Sequence, residues 1–208
     1  MTRSLGVKAW ATGALVLVAV TACVSCSSGA DPAPSPTTAT TATVSTSPTP
    51  SPRSESETAS AAAEDVVRRY FALLDSLRQD PTEPVKQLGS VATSTQLAAQ
   101  RRLLTSERDQ RLHQVGTTKV TTLTVQAVNL DNSEPSVGKA PTVTVDVCWD
   151  VSQADLIDQG GKSVVSPDRA NTGWTRYTVA NYRWSENPSG GWRVATSRDL
   201  EQAPCASS

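Results

Sequence analysis

From Ala63 onward apolar residues recur every three or four positions, at Ala63, Val66, Val67, Tyr70, Phe71, Leu74 and Leu77. That spacing predicts an amphipathic helix with Glu64, Arg68, Arg69 and Arg78 on its outer side, stopped by Asp80-Pro81. A less regular helical stretch runs from Val85 through Leu88, Val91 and Ala92. A third, from Leu97 to about Gln114, turns Leu97, Leu104 and Leu112 inward, with Gly116 as its C-terminal cap.

Beyond Gly116 the hydrophobic period falls from about 3.6 to about 2. Lys119 to Leu130 is rich in Val and Thr, and Thr142 to Val151 alternates Val143, Val145, Val147, Trp149 and Val151 against Thr142, Thr144, Asp146, Cys148 and Asp150. The second of these is a half-buried strand whose Val and Trp face covers the core. Lys162 to Val165 is a short strand after the turn signal Asp158-Gln-Gly-Gly161, and Trp174 to Trp184 is a long one. Asn187-Pro-Ser-Gly-Gly191 reads as a hairpin connection into Trp192 to Thr196. Helices first and strands afterwards predict an α+β domain over residues 61–208, with N-terminal helices packed on one face of a curved antiparallel sheet.

The opening helix Tyr70-Phe71-Ala-Leu-Leu-Asp75, the strand Val143-Thr-Val-Asp-Val-Cys-Trp-Asp-Val151 and the closing strand Gly191-Trp-Arg-Val194 resemble nuclear transport factor 2-like, or SnoaL-like, domains of actinobacterial lipoproteins. The resemblance implies a cone-like cavity between helices and sheet. It also covers isomerases, cyclases and dehydratases beside non-catalytic members, so it assigns no activity.

Ahead of the domain, Arg3 and Lys8 precede an apolar run near Ala14 to Val20, which closes on Val20-Thr21-Ala22-Cys23. Basic, apolar and small-residue regions in that order make a secretory signal peptide over residues 1–22. The apolar core, about a dozen residues, is shorter than the roughly 20 that span a bilayer. The closing four residues resemble the lipobox of bacterial lipoproteins, which implies cleavage before Cys23 and its lipidation; Cys26 has Cys23 rather than an aliphatic residue three places before it. Residues 23–60 are then a tether dominated by Ser, Thr, Pro and Ala. It buries almost nothing apolar, which predicts disorder, and at about 3.1 Å per residue it reaches no further than about 100 Å. It reads equally as a stalk open to O-glycans and as a plain spacer. The expected location is the extracellular face of a bacterial membrane, held by lipid.

A formal net charge of −1 excludes a nucleic-acid partner. In an exported domain, Cys148 and Cys205 are expected to pair as a disulfide. The single histidine, His113, reads as a solvated residue at a helix end, and no spacing of ligand residues suits a metal; no cofactor is expected. Asp146 and Asp150 are expected in solvent, and no acid–base pair is identifiable, so no catalytic residue is assigned. Trp174, Arg176, Tyr182 and Trp184, read as one strand face, form a candidate binding surface. The function expected is a non-catalytic binding or interaction module for an envelope protein or a small apolar ligand. The alternatives are a SnoaL-like or ketosteroid-isomerase-like enzyme acting on an apolar small molecule, and an envelope structural or assembly protein, a homodimer through its sheet face.

Overall fold

A serine and a glutamate three residues apart open the first helix. Ser54 Oγ accepts from the Glu57 backbone N–H at 3.2 Å, and Glu57 Oε2 accepts from the Ser54 N–H at 2.7 Å, which together form a capping box. The computed structural model describes residues 53–201 and Cys205. The expected signal peptide, Cys23, Cys26 and the tether as far as residue 52 lie outside the described residues. Helix α1 (Glu55–Gln79) begins within the stretch read as tether, and Ala59 is already buried there. Its inner face is the one the periodicity predicts: Ala63, Val66, Val67, Tyr70, Leu74 and Leu77 are all buried. Fully burying one Val or Leu side chain stabilises the fold by about 1.5–3 kcal/mol, so this stripe holds the helix in place.

A 3₁₀ turn over Val85–Ser90 buries Leu88 completely and leads into α2 (Ser94–Asp109). This helix is shorter than expected. Arg111 adopts φ 58°, the left-handed conformation usually given to glycine, and the Leu112 N–H closes on Glu107 O at 2.9 Å. Gly116 therefore caps no helix. It has φ +73°, and a Cβ there would lie 1.7 Å from Gln153 O. His113 belongs to β1 (His113–Val115), which pairs with β4 (Asp155–Ile157) in a separate two-stranded ribbon. The short strand expected at Lys162 to Val165 is reduced to a single bridge between Ile157 and Ser163.

The main sheet is antiparallel and open, with strand order β2 (Lys119–Asn129), β3 (Thr142–Asp150), β5 (Thr172–Ala180) and β6 (Arg193–Leu200). Register shifts interrupt the β2–β3 and β5–β6 ladders, and such bulges strengthen the local twist. Val143, Val145 and Val147 of β3 face the helices with Tyr177 and Val179 of β5, in one core with Trp192 and Val194. The β6 edge is covered in part: Val194 N–H donates to Val91 O at 2.8 Å and Val194 O accepts from Thr93 N–H at 2.9 Å.

The other face of β3 is not in solvent as expected. Cys148, Asp146 and Asp150 are 0%, 4% and 2% exposed. The Arg176 guanidinium lies across Asp146 in a bidentate pair, Nε to Oδ1 at 2.6 Å and Nη2 to Oδ2 at 2.7 Å, which raises the arginine's pKa further. Cys205 reaches back across this face, bonded to Cys148 with Cα atoms 6.0 Å apart. The alternation rule gave each side chain its face, but not what covers the outer one.

Because the bridge closes a loop of 57 residues, the loop-closure model assigns it about 4 kcal/mol. Cys148→Ser together with Cys205→Ser is expected to lower stability by about that amount. Urea unfolding of the double variant should be insensitive to reductant, whereas the unaltered chain should lose most of the difference when reduced. Equal midpoints for both proteins under oxidising conditions would show that the bridge contributes little.

Candidate functional site

Leu74 and Asp75 lie three and four residues after Phe71 and four and three before Arg78, so the four share a strip of α1. The strip borders a cleft of about 360 Å³ between the helices and one end of the sheet, where Trp149, Thr175 and Tyr177 form the opposite wall. Gln100 of α2 and Thr118, Val151 and Arg169 from the connecting loops complete it. The volume lies in the range of small-molecule sites, and a smaller cavity of about 200 Å³ shares Arg78, Thr118, Val151 and Arg169 with it.

The floor is aromatic. Tyr70, Phe71 and Tyr177 meet edge to face in all three combinations, with ring centroids 5.8–5.9 Å apart. Trp149 pairs in register with Gly173, and a Cβ on Gly173 would lie 2.5 Å from the indole ring. Glycine at that position is what allows the indole to lie across β5. The indole N–H donates to Thr175 Oγ1 at 3.0 Å, and the Thr175 hydroxyl donates to Asp199 Oδ1 at 2.9 Å.

The polar groups are held in place by their partners. The Asp75 carboxylate is 6% exposed and accepts three bonds: Gln114 Nε2 at 2.7 Å, the Thr118 N–H at 2.8 Å and the Thr118 hydroxyl at 2.9 Å. Tyr70 Oη accepts from Gln96 Nε2 at 2.5 Å, and Gln96 Oε1 accepts from Ser197 Oγ at 2.8 Å, which links α1 through α2 to β6. Arg78 is paired with Glu107 at 3.1 Å. Arg169 donates from Nη2 to the carbonyls of Val151, at 3.0 Å, and Ala154.

Burial pushes the Tyr70 phenol up to about 12, against a smaller lowering by the Gln96 bond. It pushes Tyr177 up further, with Tyr70 adding to the effect. A general base must give up its proton near the working pH, so both phenols act as neutral groups here. The arrangement is suited to holding a ligand rather than moving a proton. Among the described residues no group of three or more His, Cys, Asp or Glu is placed to hold a metal, and no helix is long and apolar enough to cross a membrane.

The four residues expected to share a strand face are divided. Trp174 and Arg176 lie on the outer face of β5, but that strand ends at Ala180. The buried Asn181 side chain donates to Asn187 O at 2.8 Å and accepts from the Arg183 N–H at 3.0 Å, which turns the chain before Tyr182. Tyr182 is exposed, and Trp184 packs edge-on against Trp192 with centroids 5.9 Å apart. Asp75, Arg78 and Arg169 were not picked out by sequence reasoning as site residues. Asp75 carried a signal, a carboxylate inside an apolar helix stripe; Arg169, in a loop, carried none.

No protein-family model and no curated protein matches this chain. Among solved structures it is similar to the crystal structure of the intermembrane space region of the chloroplast protein ARC6, with 21% sequence identity, 72% of this chain and 98% of that chain covered, and a TM-score of 0.46.

The raised phenols make stability depend on alkaline pH. Folded-state values above the unfolded value of 10.0 mean that the unfolded chain binds fewer protons at high pH. Stability is therefore fully present below pH 10 and is lost as pH rises through about 12, by up to about 1.4 kcal/mol per pH unit for each phenol. Urea midpoints measured from pH 8 upward should fall beyond pH 10, and Tyr70→Phe should flatten the fall. At neutral pH the same variant should cost about 1–3 kcal/mol, because the Gln96 amide loses its acceptor.

Proposed function

We propose that this chain is a non-catalytic binding module of the bacterial cell envelope, built on a nuclear transport factor 2-like domain whose cleft receives a small apolar ligand. The observation that carries this reading is the state of the cleft's polar groups. Its carboxylate is held by three donors and its phenols are buried with raised pKa, while Phe71 and Trp149 stay half-buried along the cleft. An enzyme of the SnoaL-like kind needs an acid or base that can change state during turnover. Here each candidate is fixed by its partners.

The rest of the reading concerns where the module works. The signal-peptide pattern and the lipobox-like Val20-Thr-Ala-Cys23 support export and lipidation at Cys23, and the Ser/Thr/Pro-rich stretch supports a tether between lipid and domain. A tether of this kind raises the local concentration of the module for ligands or partners at the membrane.

Two experiments test these parts separately. Cys23→Ser is expected to release the chain from the membrane fraction into the medium, and mass spectrometry of the unaltered protein should find acyl chains on a peptide beginning at Cys23; an unmodified N-terminus elsewhere removes the anchor. For the cleft, titration with small aromatic compounds should shift the Trp149 indole N–H resonance without consuming the compound. Val151→Trp, which fills the cleft, should abolish the shift. Turnover of any such compound, lost in Tyr70→Phe, would replace the binding reading with the enzymatic one.

A further inference from the structure

Charge at the mouth of the cleft is unevenly matched. Asp75 has three donors, and Arg78 has Glu107. Arg169 is different. Only its Nη2 is engaged, by two backbone carbonyls, and among the described residues no carboxylate lies within ion-pair distance of it. The two carbonyls orient the guanidinium without neutralising it, and Nε and Nη1 have no protein partner among the described residues. Arg169 lines both cavities, the larger of them together with Phe71, Trp149 and Tyr177.

A half-buried guanidinium with free N–H donors at one end of an apolar cleft is matched by a planar anion with an apolar body. From this geometry we infer that the ligand of the cleft is an aromatic or alkyl carboxylate whose carboxylate is received by Arg169. The inference rests on the binding reading above and narrows it. Arginine presents parallel donors that fit the two oxygens of a carboxylate, and the bond is strongest where water is partly excluded. At the roughly 30 Å³ that a water occupies in the liquid, the cleft has room for about a dozen heavy atoms. A phenyl ring with a short acidic chain is of that size. Arg78 lies nearby with its charge offset by Glu107, so it adds a donor rather than a second uncompensated charge.

The test uses the full chain with Cys23→Ser and a matched pair of probes, phenylbutyrate and phenylbutanol, by calorimetric titration at low and high ionic strength. The acid is expected to bind about tenfold or more tightly than the alcohol, with the preference shrinking as salt rises. Arg169→Gln should abolish the preference for the acid over the alcohol, and Arg169→Lys should retain part of it. Equal binding of acid and alcohol, or a preference that survives in Arg169→Gln, overturns the inference and leaves the binding reading standing. Binding of neither probe, with no shift at Trp149, overturns both. If Arg169→Gln also loses the alcohol, its loop has moved, and the salt dependence of the unaltered site decides: a salt-independent preference overturns the inference and a salt-sensitive one supports it.

Discussion

The position of α1 against the end of the sheet depends on one buried carboxylate. Asp75 faces inward between Leu74 and Leu77, where an unpaired charge would cost several kcal/mol. β1 and the chain that follows it meet this requirement, with Gln114 of the strand and both the backbone and the hydroxyl of Thr118 turned onto the two oxygens. Gln79 adds a bond from its Nε2 to Gly116 O at 2.7 Å, so the last turn of α1 is fastened to the turn between β1 and β2. That turn approaches the backbone at Gln153 closely enough that only glycine fits at 116. The C-terminal half of the helix, the β1–β4 ribbon and the entry to β2 are thereby one mechanical unit. The cleft lies along the border of this unit, and Phe71, Leu74 and Arg78 face it because Asp75 fixes the rotation of the helix.

The opposite wall follows from how β3 is covered. Its inner valines lie under the helices, and its outer face is closed by the Arg176–Asp146 pair and by the crossing of Cys205. A strand covered on both faces is a rigid support. Trp149, near its C-terminal end, is carried past the edge of the valine core and lies over Gly173. There the sheet presents an aromatic ring rather than a branched aliphatic, and the helices do not reach it. The cleft is the space left where the packed core ends.

Which features were legible in the sequence follows from the range of the interactions behind them. The 3.6-residue stripe of α1 and the alternation of β3 depend on neighbours along the chain, and the structure agrees with both almost residue by residue. Where the outcome depends on a distant partner, local rules were insufficient. Asp146 alternates correctly but is buried because Arg176 comes from elsewhere in the chain, as Cys205 does over Cys148. α2 stops at Asp109 because Arg111 takes a conformation that residue type seldom adopts. β5 stops at Ala180 because a single asparagine side chain outcompetes the ladder. Ser54 and Glu57 did form a local signal, obscured by the similar composition of the residues before them. In the site itself Tyr70 was legible as a member of the α1 stripe, whereas its partner Gln96, and Gln114 and Thr118 that hold Asp75, are ordinary polar residues whose roles exist only in the fold.

The proposed division between binding and catalysis rests on the same long-range bonds. A carboxylate that anchors a helix to a strand through three hydrogen bonds cannot turn toward a ligand without loosening both. The phenols are subject to a similar constraint, since ionising Tyr70 or Tyr177 would place a charge inside the core that orders the cleft. The groups that make this cleft rigid are thus the ones a proton-transfer enzyme would have to set free. What remains available to a ligand is the half-buried surface of Phe71 and Trp149, the unpartnered Oε1 of Gln100 and the unused donors of Arg169. None of these takes part in the bonds that fasten α1 to the β1 segment, so they can engage and release a ligand without breaking them.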